Sequence, residues 1–488
     1  MKHGYNAGEA KVQKADSLAN HFQYEPLDLG IRSFRLLILY PGDDDIRCDI
    51  FQAVLEPDDI IPYEALSYAW GGIDRTETIT ASGKWLPVTE RLFTALVHLR
   101  TNETRILWVD AICIDQDNIA ERGHQVGQMA GIYRQAEQVL IWLGPGTPDT
   151  VLLMQGLRVL HHDSIRQKSR DDIAWARTRW QCLQMDKGFS ALARDSFPRG
   201  LLHMLQQAWF TRIWVLQEVS YARVASICCG DFSVPAYIFV LATQLIKNED
   251  NAIFELGDQR QTLLDLMPRP SSEKITRKKS LHTLLQKFCE SEATDPRDMV
   301  YALLGIASDT PKDANNTPLV PDYFKTETTL IRDLLWYLSC GNFVQHEILD
   351  TDLRLRAFLK TIPAVTDASF KSCIVKGNLD GIKELLARGQ SFEITRKAIS
   401  ALGSRVGIVL TDPRLPDDTL WGLLRLRDSS LTFSSDGIVA ALDWCDDSVV
   451  PCVSIYYEVR METSAVVAEA LRTRIQCSPA ICNDITLP

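Results

Sequence analysis

RILWVDAICI (105–114) is a nearly continuous apolar run, as expected of a strand that is covered on both faces. A second run of this kind, VLIWLG, occupies 139–144, and the segment between them, 118–136, has the spacing of an amphipathic helix. Strands that alternate with helices in this way predict a parallel sheet. We therefore expect an α/β fold in which a mostly parallel sheet is flanked by helices.

Shorter apolar runs lie on the N-terminal side of this region and predict further strands. They are RLLILYPG (35–42), IRCDIFQAVL (46–55), EALSYAW (64–70) and the alternating segment TETITASGKWLPV (76–88), a hairpin around Ser82-Gly83. Together they predict a small N-terminal β layer that precedes the parallel sheet.

The sequence divides into three parts on this basis. Residues 1–30 are polar and predict a loose leader, and residues 31–325 hold the α/β domain, with its core motifs at 63–219. Residues 326–488 are predicted to be mainly helical. Within them, FKSCIVKGNLDGIKELLARG (370–389) is similar to the helix pair of one ankyrin unit. Stacked repeats need neighbouring units to bury their faces, and one unit does not establish a repeat array. Whether this region is repeat-like is therefore an open question at the level of the sequence.

The composition excludes several function classes. The formal net charge of −11 argues against a nucleic-acid-binding surface, because phosphate contacts need clustered Lys and Arg. None of the 12 cysteines falls in a CxxC pair, so the sequence gives no sign of a zinc site. The start lacks an apolar secretory core, and no apolar stretch reaches about 18 residues, so we expect a cytoplasmic protein without a membrane span.

Motifs of several enzyme classes are also missing from the sequence. It contains no GxGxxG, no Walker A motif, no GxSxG, no HExxH and no EF-hand loop. Nucleotide hydrolysis by a P-loop, serine-hydrolase chemistry and zincin chemistry therefore lack their usual residues. We expect no bound cofactor and no metal site.

Five segments, taken in order, carry a family resemblance. They are YEALSYAWGG (63–72), LWVDAICIDQ (107–116), RGHQVGQMAGIYRQAEQVLIWLG (122–144), WFTRIWVLQE (209–218) and DPRDMVYALLGIA (295–307). With a PDY triplet at 321–323, they make the region from about 63 to 325 similar to the fungal heterokaryon-incompatibility (HET) domain. The resemblance implies a role in regulated cell death after non-self recognition, with an incompatibility partner protein whose identity is open.

The HET family in turn resembles the TIR domain. In TIR proteins a strand ends in an acidic residue, and a later Trp-Cys-x-x-Glu helix carries a Glu that is essential for NAD cleavage in the enzymatic members. Asp110 and the spacing from Trp214 to Glu218 match this pattern, but Val215 replaces the Cys and a long helical insertion, 150–205, precedes the helix. The resemblance implies that Glu218 is catalytic and that NAD is a substrate.

The residues around Glu218 are compatible with two interpretations. WFTRIWVLQEVSYA (209–222) predicts a helix in which Glu218 shares a face with Trp214, and a carboxylate beside aromatic surface is poorly solvated. That environment suits acid–base or cation-stabilising work. Alternatively, Glu218 is a structural carboxylate paired with an arginine such as Arg212 or Arg223.

Asp115 and Gln116 are candidate substrate-binding residues, because they follow the central strand and ligands of open parallel sheets bind at the carboxyl ends of strands. Asp115 could equally cap the helix that follows. Asp110 is expected to point toward the face of the sheet and to support the site.

Two aromatic residues precede a pair of glycines, Gly71-Gly72, which allow positive φ and close backbone approach. Tyr68 and Trp70 therefore predict either the mouth of a pocket that stacks a flat ring or a core strand with a tight turn. Trp214 is a further candidate for substrate binding.

Arg212, Gln217 and Arg297 are candidate supporting residues. Arg297 lies in the first turn of its predicted helix and could clamp a phosphate or carboxylate in bidentate fashion. Alternatively, it ties that helix to the body of its own domain.

Two mechanisms of different classes are compatible with the sequence. In the first, the domain is an NAD glycohydrolase in which Glu218 stabilises a cationic transition state. In the second, it is a non-catalytic module that self-associates and acts through partner proteins. A fold resemblance cannot choose between them, because one fold hosts many functions.

Overall fold

A computed structural model of the chain describes residues 20–56, 61–167, 173–185, 193–249, 257–269, 279–309, 319–338, 354–376, 378–387, 392–394 and 431–434. These residues form two compact units. The first is drawn from Met1–Arg277, Glu290–Ile306 and Val320–Phe324, and the second from Lys278–Cys289, Ala307–Leu319 and Lys325–Pro488. The chain therefore passes between the units five times, whereas the sequence suggested a single boundary near residue 325.

Four parallel strands form the centre of the first unit. They are β3 (Glu64–Tyr68), β6 (Arg105–Trp108), β7 (Gln138–Trp142) and β8 (Ala225–Cys229). Their order in space is β6-β3-β7-β8, so the first parallel strand of the chain lies between the second and the third. This is the order of a doubly wound α/β sheet of the flavodoxin-like kind. The predicted α/β class is confirmed.

The remaining strands of this unit extend the same sheet on both sides. They are β1 (Ser33–Leu39), β2 (Arg47–Val54), β4 (Glu77–Ala81), β5 (Lys84–Val88) and β9 (Phe232–Pro235). Among the described residues the sheet has nine strands, in the order β5-β4-β2-β1-β6-β3-β7-β8-β9. Because β1 pairs antiparallel with β6, four strands of the predicted N-terminal layer, β1, β2, β4 and β5, join the parallel core edge to edge. The fifth, β3, lies within that core, so its assignment to a separate layer is wrong.

The hairpin predicted around Ser82-Gly83 is present between β4 and β5. Ser82 has φ 48° and Gly83 has φ 75°, so both central residues are left-handed. Two such residues make the tight turn whose twist matches that of paired antiparallel strands, which explains the glycine at the second position.

Helices connect and cover the strands. In chain order they are α1 (Glu90–Leu99), α2 (Asp110–Cys113), α3 (Ile119–Gln135), α4 (Pro148–Arg166), α5 (Ile173–Met185), α6 (Ala193–Leu205), α7 (Val215–Tyr221), α8 (Ala236–Glu249), α9 (Asp258–Leu266), α10 (Leu281–Lys287), α11 (Asp298–Leu304), α12 (Glu327–Leu338), α13 (Leu355–Lys376) and α14 (Leu379–Ala387). The predicted insertion between β7 and α7 consists of α4, α5 and α6, and α4 packs against α6 and β9. None of the described helices is long and apolar enough to cross a membrane.

Residues 20–30 of the predicted loose leader are tied to the domain, while residues 1–19 lie outside the described part of the chain. Phe22 N donates to the carbonyl of Trp85 at 2.9 Å, and the Tyr24 hydroxyl donates to the carbonyl of Ile112 at 2.9 Å. The prediction of a loose leader is therefore wrong for residues 20–30, whose polar composition hid these backbone contacts.

The second unit is helical in its larger described elements. Helix α12 packs against α13, and α13 packs against α10 and α14. The helix pair predicted over 370–389 is present as the end of α13 followed by α14. Two short strands, β10 (Phe392–Ile394) and β11 (Leu431–Phe433), pair in parallel.

A buried ion pair joins the N-terminal strands to the parallel core. Arg35 on β1 and Glu121 on α3 have side chains that are 3% and 2% exposed, and Arg35 Nη1 lies 2.5 Å from Glu121 Oε1. The same oxygen accepts the backbone N–H of Asp115 at 2.7 Å, and Arg35 also donates to the carbonyl of Cys113 at 3.1 Å. The pair therefore fixes the segment that follows β6.

We expect Glu121→Ala to lower the free energy of unfolding by about 3 to 5 kcal/mol, because it leaves the Arg35 guanidinium buried without its counter-charge. Arg199→Ala is the control, since its ion pair with Asp149 is largely exposed and screened by solvent, so its loss should change the free energy of unfolding little. Denaturant unfolding of both variants measures the difference. Equal losses in the two variants would contradict this account of Arg35.

Candidate functional site

Strand β3 lies at the topological switch point of the sheet, where the next parallel strand, β6, is added on one side and the following one, β7, on the other. Both of these strands run parallel to β3. In open α/β sheets the ligand crevice lies outside the carboxyl ends of the strands at such a switch point. Strand β3 ends at Ser67 and Tyr68, and the backbone there leads to Trp70.

Glu218 is brought to this point by α7. Its side chain is 1% exposed, and its Oε2 accepts a short hydrogen bond from the hydroxyl of Ser67. The Ser67 hydroxyl in turn accepts the indole N–H of Trp209 at 2.6 Å. Within the described residues no hydrogen bond reaches Glu218 Oε1, which lies 3.8 Å from Arg212 Nη1.

Arg212 lies between two carboxylates. Its Nη1 is 3.8 Å from Glu218 Oε1, its Nη2 is 3.9 Å from Asp110 Oδ2, and it donates a short hydrogen bond to the carbonyl of Tyr68. Asp110 Oδ2 also accepts the indole N–H of Trp70 at 2.9 Å. One arginine thus compensates two buried carboxylates from neighbouring elements.

Burial dominates the electrostatics of this cluster. It raises the pKa of Glu218 from 4.5 to about 7, although Arg212 and the Ser67 hydroxyl favour the ionised form. Burial also raises the pKa of Asp110, against the opposite effects of Arg212 and Trp70. A carboxyl group with a pKa near neutrality can give or take a proton at physiological pH. The cluster can therefore support proton transfer or stabilise a cation.

Comparison with known proteins places this cluster in a family. The profile described as "Heterokaryon incompatibility protein (HET)" matches residues 63–218, from the start of β3 to the buried glutamate. The chain carries a HET domain.

A curated protein is also similar to this chain. The chain is 30% identical over 374 residues to "Heterokaryon incompatibility protein 6, OR allele" of Neurospora crassa. The match covers 64% of this chain and 52% of the relative, so the chain spans about half the length of that protein. No solved structure matches the chain.

Asp110 belongs to the cluster around Arg212. The prediction that it points toward the face of the sheet is wrong. Strand β6 ends at Trp108, and Asp110 begins the helical turn α2. The apolar run 105–114 looked like one strand because periodicity cannot separate a buried strand from a buried turn of helix.

The segment 209–222 of the HET domain is not one helix, as the sequence had suggested. A 3₁₀ turn covers Ala208–Thr211, the backbone of Arg212 then bridges to Glu292, and α7 begins only at Val215. Because of this break, Arg212 lies outside α7, and its side chain pairs with Glu218. Of the two arginines proposed as partners, Arg212 is confirmed, whereas Arg223 donates to the backbone carbonyls of Gln135 and Ala136.

Two substrate-binding candidates that follow β6 are partly exposed. Gln116 Nε2 donates to the carbonyl of Asp110 at 3.0 Å, which places it beside the carboxylate cluster. Asp115 Oδ1 accepts the N–H of Asp117 at 3.2 Å. The residue that caps α3 is Asn118, whose side chain accepts the N–H of Glu121, so the capping role considered for Asp115 is wrong.

The aromatic residues after β3 differ in exposure. Tyr68 is 1% exposed, and its hydroxyl has no hydrogen-bond partner among the described residues, so it belongs to the core of the site. Trp70 is partly exposed and precedes Gly71 and Gly72, whose φ values are 77° and 125°. A Cβ on Gly71 would meet only the flexible side chain of Arg91, so the positive φ is the reason for glycine at this position.

Three remaining candidates contact a neighbouring segment instead of the Glu218 carboxylate. The side chain of Trp214 lies beside Asp298 and favours the ionised form of its carboxyl, and Gln217 Nε2 lies 3.5 Å from the carbonyl of Tyr301. Arg297 forms a bidentate pair with Asp295, two residues before it, at 2.7 and 2.9 Å, and it donates to the carbonyl of Tyr323 at 2.7 Å.

Two polar partners of Glu218 were not among the sequence candidates. Ser67 is a hydroxyl inside an otherwise apolar strand, which is a weak signal of a buried hydrogen bond, and Trp209 is fully buried. They contact Glu218 or each other across more than 140 residues of sequence, at separations of 151 and 142. In the described parts of the chain, no group of three or more metal-ligating side chains comes together.

The pKa of Glu218 predicts a pH dependence of stability. Because its folded value of about 7 lies above the usual 4.5, ionising this carboxyl costs folding free energy between about pH 4.5 and 7. We expect the stability of the unmodified chain, relative to Glu218→Gln, to fall by on the order of 3 kcal/mol as the pH rises through that range. Denaturant unfolding at pH 5 and pH 8 measures it, and a constant difference would exclude the raised pKa.

Proposed function

We propose that this chain acts in heterokaryon incompatibility as an effector of regulated cell death, and that its HET domain cleaves NAD with Glu218 as the catalytic carboxylate. The observation that carries the proposal is a buried glutamate at the switch point of a doubly wound sheet. One of its oxygens is held by Ser67, and the other accepts no hydrogen bond from the described residues.

The proposed reaction is the hydrolysis of the bond between nicotinamide and ribose in NAD. The bond between ribose C1′ and the nicotinamide nitrogen breaks, and its electron pair leaves with neutral nicotinamide. The ribose becomes cationic in the transition state, and ionised Glu218 stabilises that charge in a poorly solvated site. Water then adds to C1′ and transfers a proton to the Glu218 carboxylate, whose pKa of about 7 suits a general base. The products are nicotinamide and ADP-ribose.

Other residues are assigned supporting roles in this proposal. Arg212 keeps Glu218 and Asp110 compensated until substrate binds. Trp70 is partly exposed and offers a ring for stacking, while Gln116 and Asp115 lie close enough in sequence and space to contact the ribose. Trp214 is linked to the site only as the N-cap residue of α7, the helix that carries Glu218.

The burial of Glu218 favours a second function. Glu218 is 1% exposed and already has a hydrogen bond from Ser67 and an arginine nearby, as a structural carboxylate would. In that case the HET domain is a non-catalytic module that self-associates and recruits an incompatibility partner protein. In the enzymatic case, substrate reaches the buried carboxylates only if a side chain that covers them moves. Trp70, which contacts Asp110, and Arg212, which contacts Glu218, are the partly exposed side chains that can do so.

The enzymatic function predicts that purified chain at high concentration releases nicotinamide from NAD, and that the rate rises with pH through about 7 as Glu218 ionises. Glu218→Gln keeps the shape of the side chain but removes the charge, and we expect a loss of release of at least about 100-fold. Chromatography of the reaction mixture measures nicotinamide directly.

Glu64→Gln is the matched control, because Glu64 lies at the opposite end of the same strand and pairs with Arg105. It is expected to keep full release. If folded, concentrated protein releases no nicotinamide, or if Glu218→Gln still kills cells that express it, catalysis through Glu218 is excluded. Light scattering of the same preparations then tests the self-association function.

A further inference from the structure

Helix α7 carries Glu218 but is too short to hold its own position. It has seven residues, Val215–Tyr221, and its N-cap residue, Trp214, makes no capping hydrogen bond with its side chain. Isolated helices shorter than about 12 residues are marginal in water, so tertiary contacts must determine where α7 lies.

One neighbouring segment contacts α7 at its start, middle and end. The side chain of Trp214 lies beside the Asp298 carboxylate and favours its ionised form. Gln217 Nε2 lies 3.5 Å from the carbonyl of Tyr301, and the hydroxyl of Tyr221 donates a short hydrogen bond to the carbonyl of Gly305. The contacting residues span α11, and more than 80 residues of sequence separate each pair.

A glycine lies where Gln217 of α7 meets the end of α11. A Cβ built on Gly305 would lie 2.5 Å from Gln217 Nε2 and 2.9 Å from Gln217 Cδ, so a larger residue there would displace the Gln217 side chain. The absence of a side chain at Gly305 therefore leaves room for the contact between Gln217 and α11.

Asp298 is in turn held by a compact charged cluster. The hydroxyl of Tyr323 donates to Asp298 Oδ1 at 2.5 Å, and the guanidinium carbons of Arg122 and Arg297 lie 3.8 and 5.2 Å from the centre of the Tyr323 ring. Both arginines bind Asp295, at 3.2 and 2.7 Å. Two carboxylates and two guanidinium groups therefore surround one tyrosine.

We infer that this cluster, Arg122, Asp295, Arg297, Asp298 and Tyr323, is a clamp that positions Glu218 through Trp214 and α7. Asp298 and Tyr323 are positioning residues, since neither contacts the Glu218 carboxylate. The inference rests on the proposed function for its catalytic readout only. It explains why the family-like segments at 295–307 and 321–323, far from the site in sequence, meet beside the helix that carries Glu218.

Amide hydrogen exchange of the full chain tests the clamp without reference to catalysis. Tyr323→Phe keeps the ring between the two arginines but removes the hydrogen bond to Asp298. We expect exchange of the α7 amides to accelerate at least about tenfold, while the amides of β7 stay unchanged. Tyr40→Phe is the matched control, because it removes a tyrosine hydrogen bond to a carboxylate, Asp49 at 2.7 Å, far from α7 in the sheet.

Nicotinamide release then tests positioning. We expect Tyr323→Phe to lower kcat about tenfold while KM stays within about twofold, because the lost contact orders the catalytic residue and does not bind substrate. Asp298→Asn keeps an oxygen that can accept from the Tyr323 hydroxyl, so it should retain more activity than Asp298→Ala. A merely structural role would instead lower the amount of folded protein and leave kcat per folded molecule unchanged.

The outcomes are separable. Unchanged exchange over α7 in both Tyr323→Phe and Asp298→Ala overturns the clamp, whatever the catalytic result. Faster exchange with an unchanged kcat in an active protein overturns the positioning role. If the unmodified chain releases no nicotinamide, the proposed function fails, while faster exchange of α7 in these variants still supports the clamp.

Discussion

Burying carboxylates at the carboxyl ends of parallel strands is costly, and the HET domain compensates for this cost from several elements at once. Arg212 lies between Glu218 and Asp110, Ser67 donates from β3, and Trp70 donates from the turn that follows. A buried charge that loses one partner destabilises by several kcal/mol. The positions of β3, α2 and α7 are therefore linked, because each supplies one member of the cluster.

The parts of the fold that local patterns specify were predictable. Apolar runs located the parallel strands, and Ser82-Gly83 located the hairpin, because a turn with two left-handed residues needs such a pair. The flavodoxin-like strand order was not predictable from these patterns. It depends on which strands pair across 40 to 90 residues, as β3 does with β6 and β7, and no local pattern records such partners.

The cluster around Glu218 was predicted only in part. Glu218 was singled out by its spacing from Trp214, and Arg212 was one of two arginines considered as its partner, whereas the break in the segment between them was not predicted. Ser67 and Trp209 were missed as its partners, because hydrogen bonds over 151 and 142 residues leave no periodic trace. Tertiary contacts also overrode the apparent strand at 105–114, which stops at Trp108 so that Asp110 can reach Arg212.

The five passages of the chain between the two units have an evolutionary consequence. Segments of one unit alternate along the chain with segments of the other, and α10, near residue 280, packs against α13, more than 70 residues later. A single recombination or gene-fusion event therefore cannot exchange one unit for a foreign one and leave both whole. The two units are inherited together, and new partners can be added by simple fusion only outside this interleaved region.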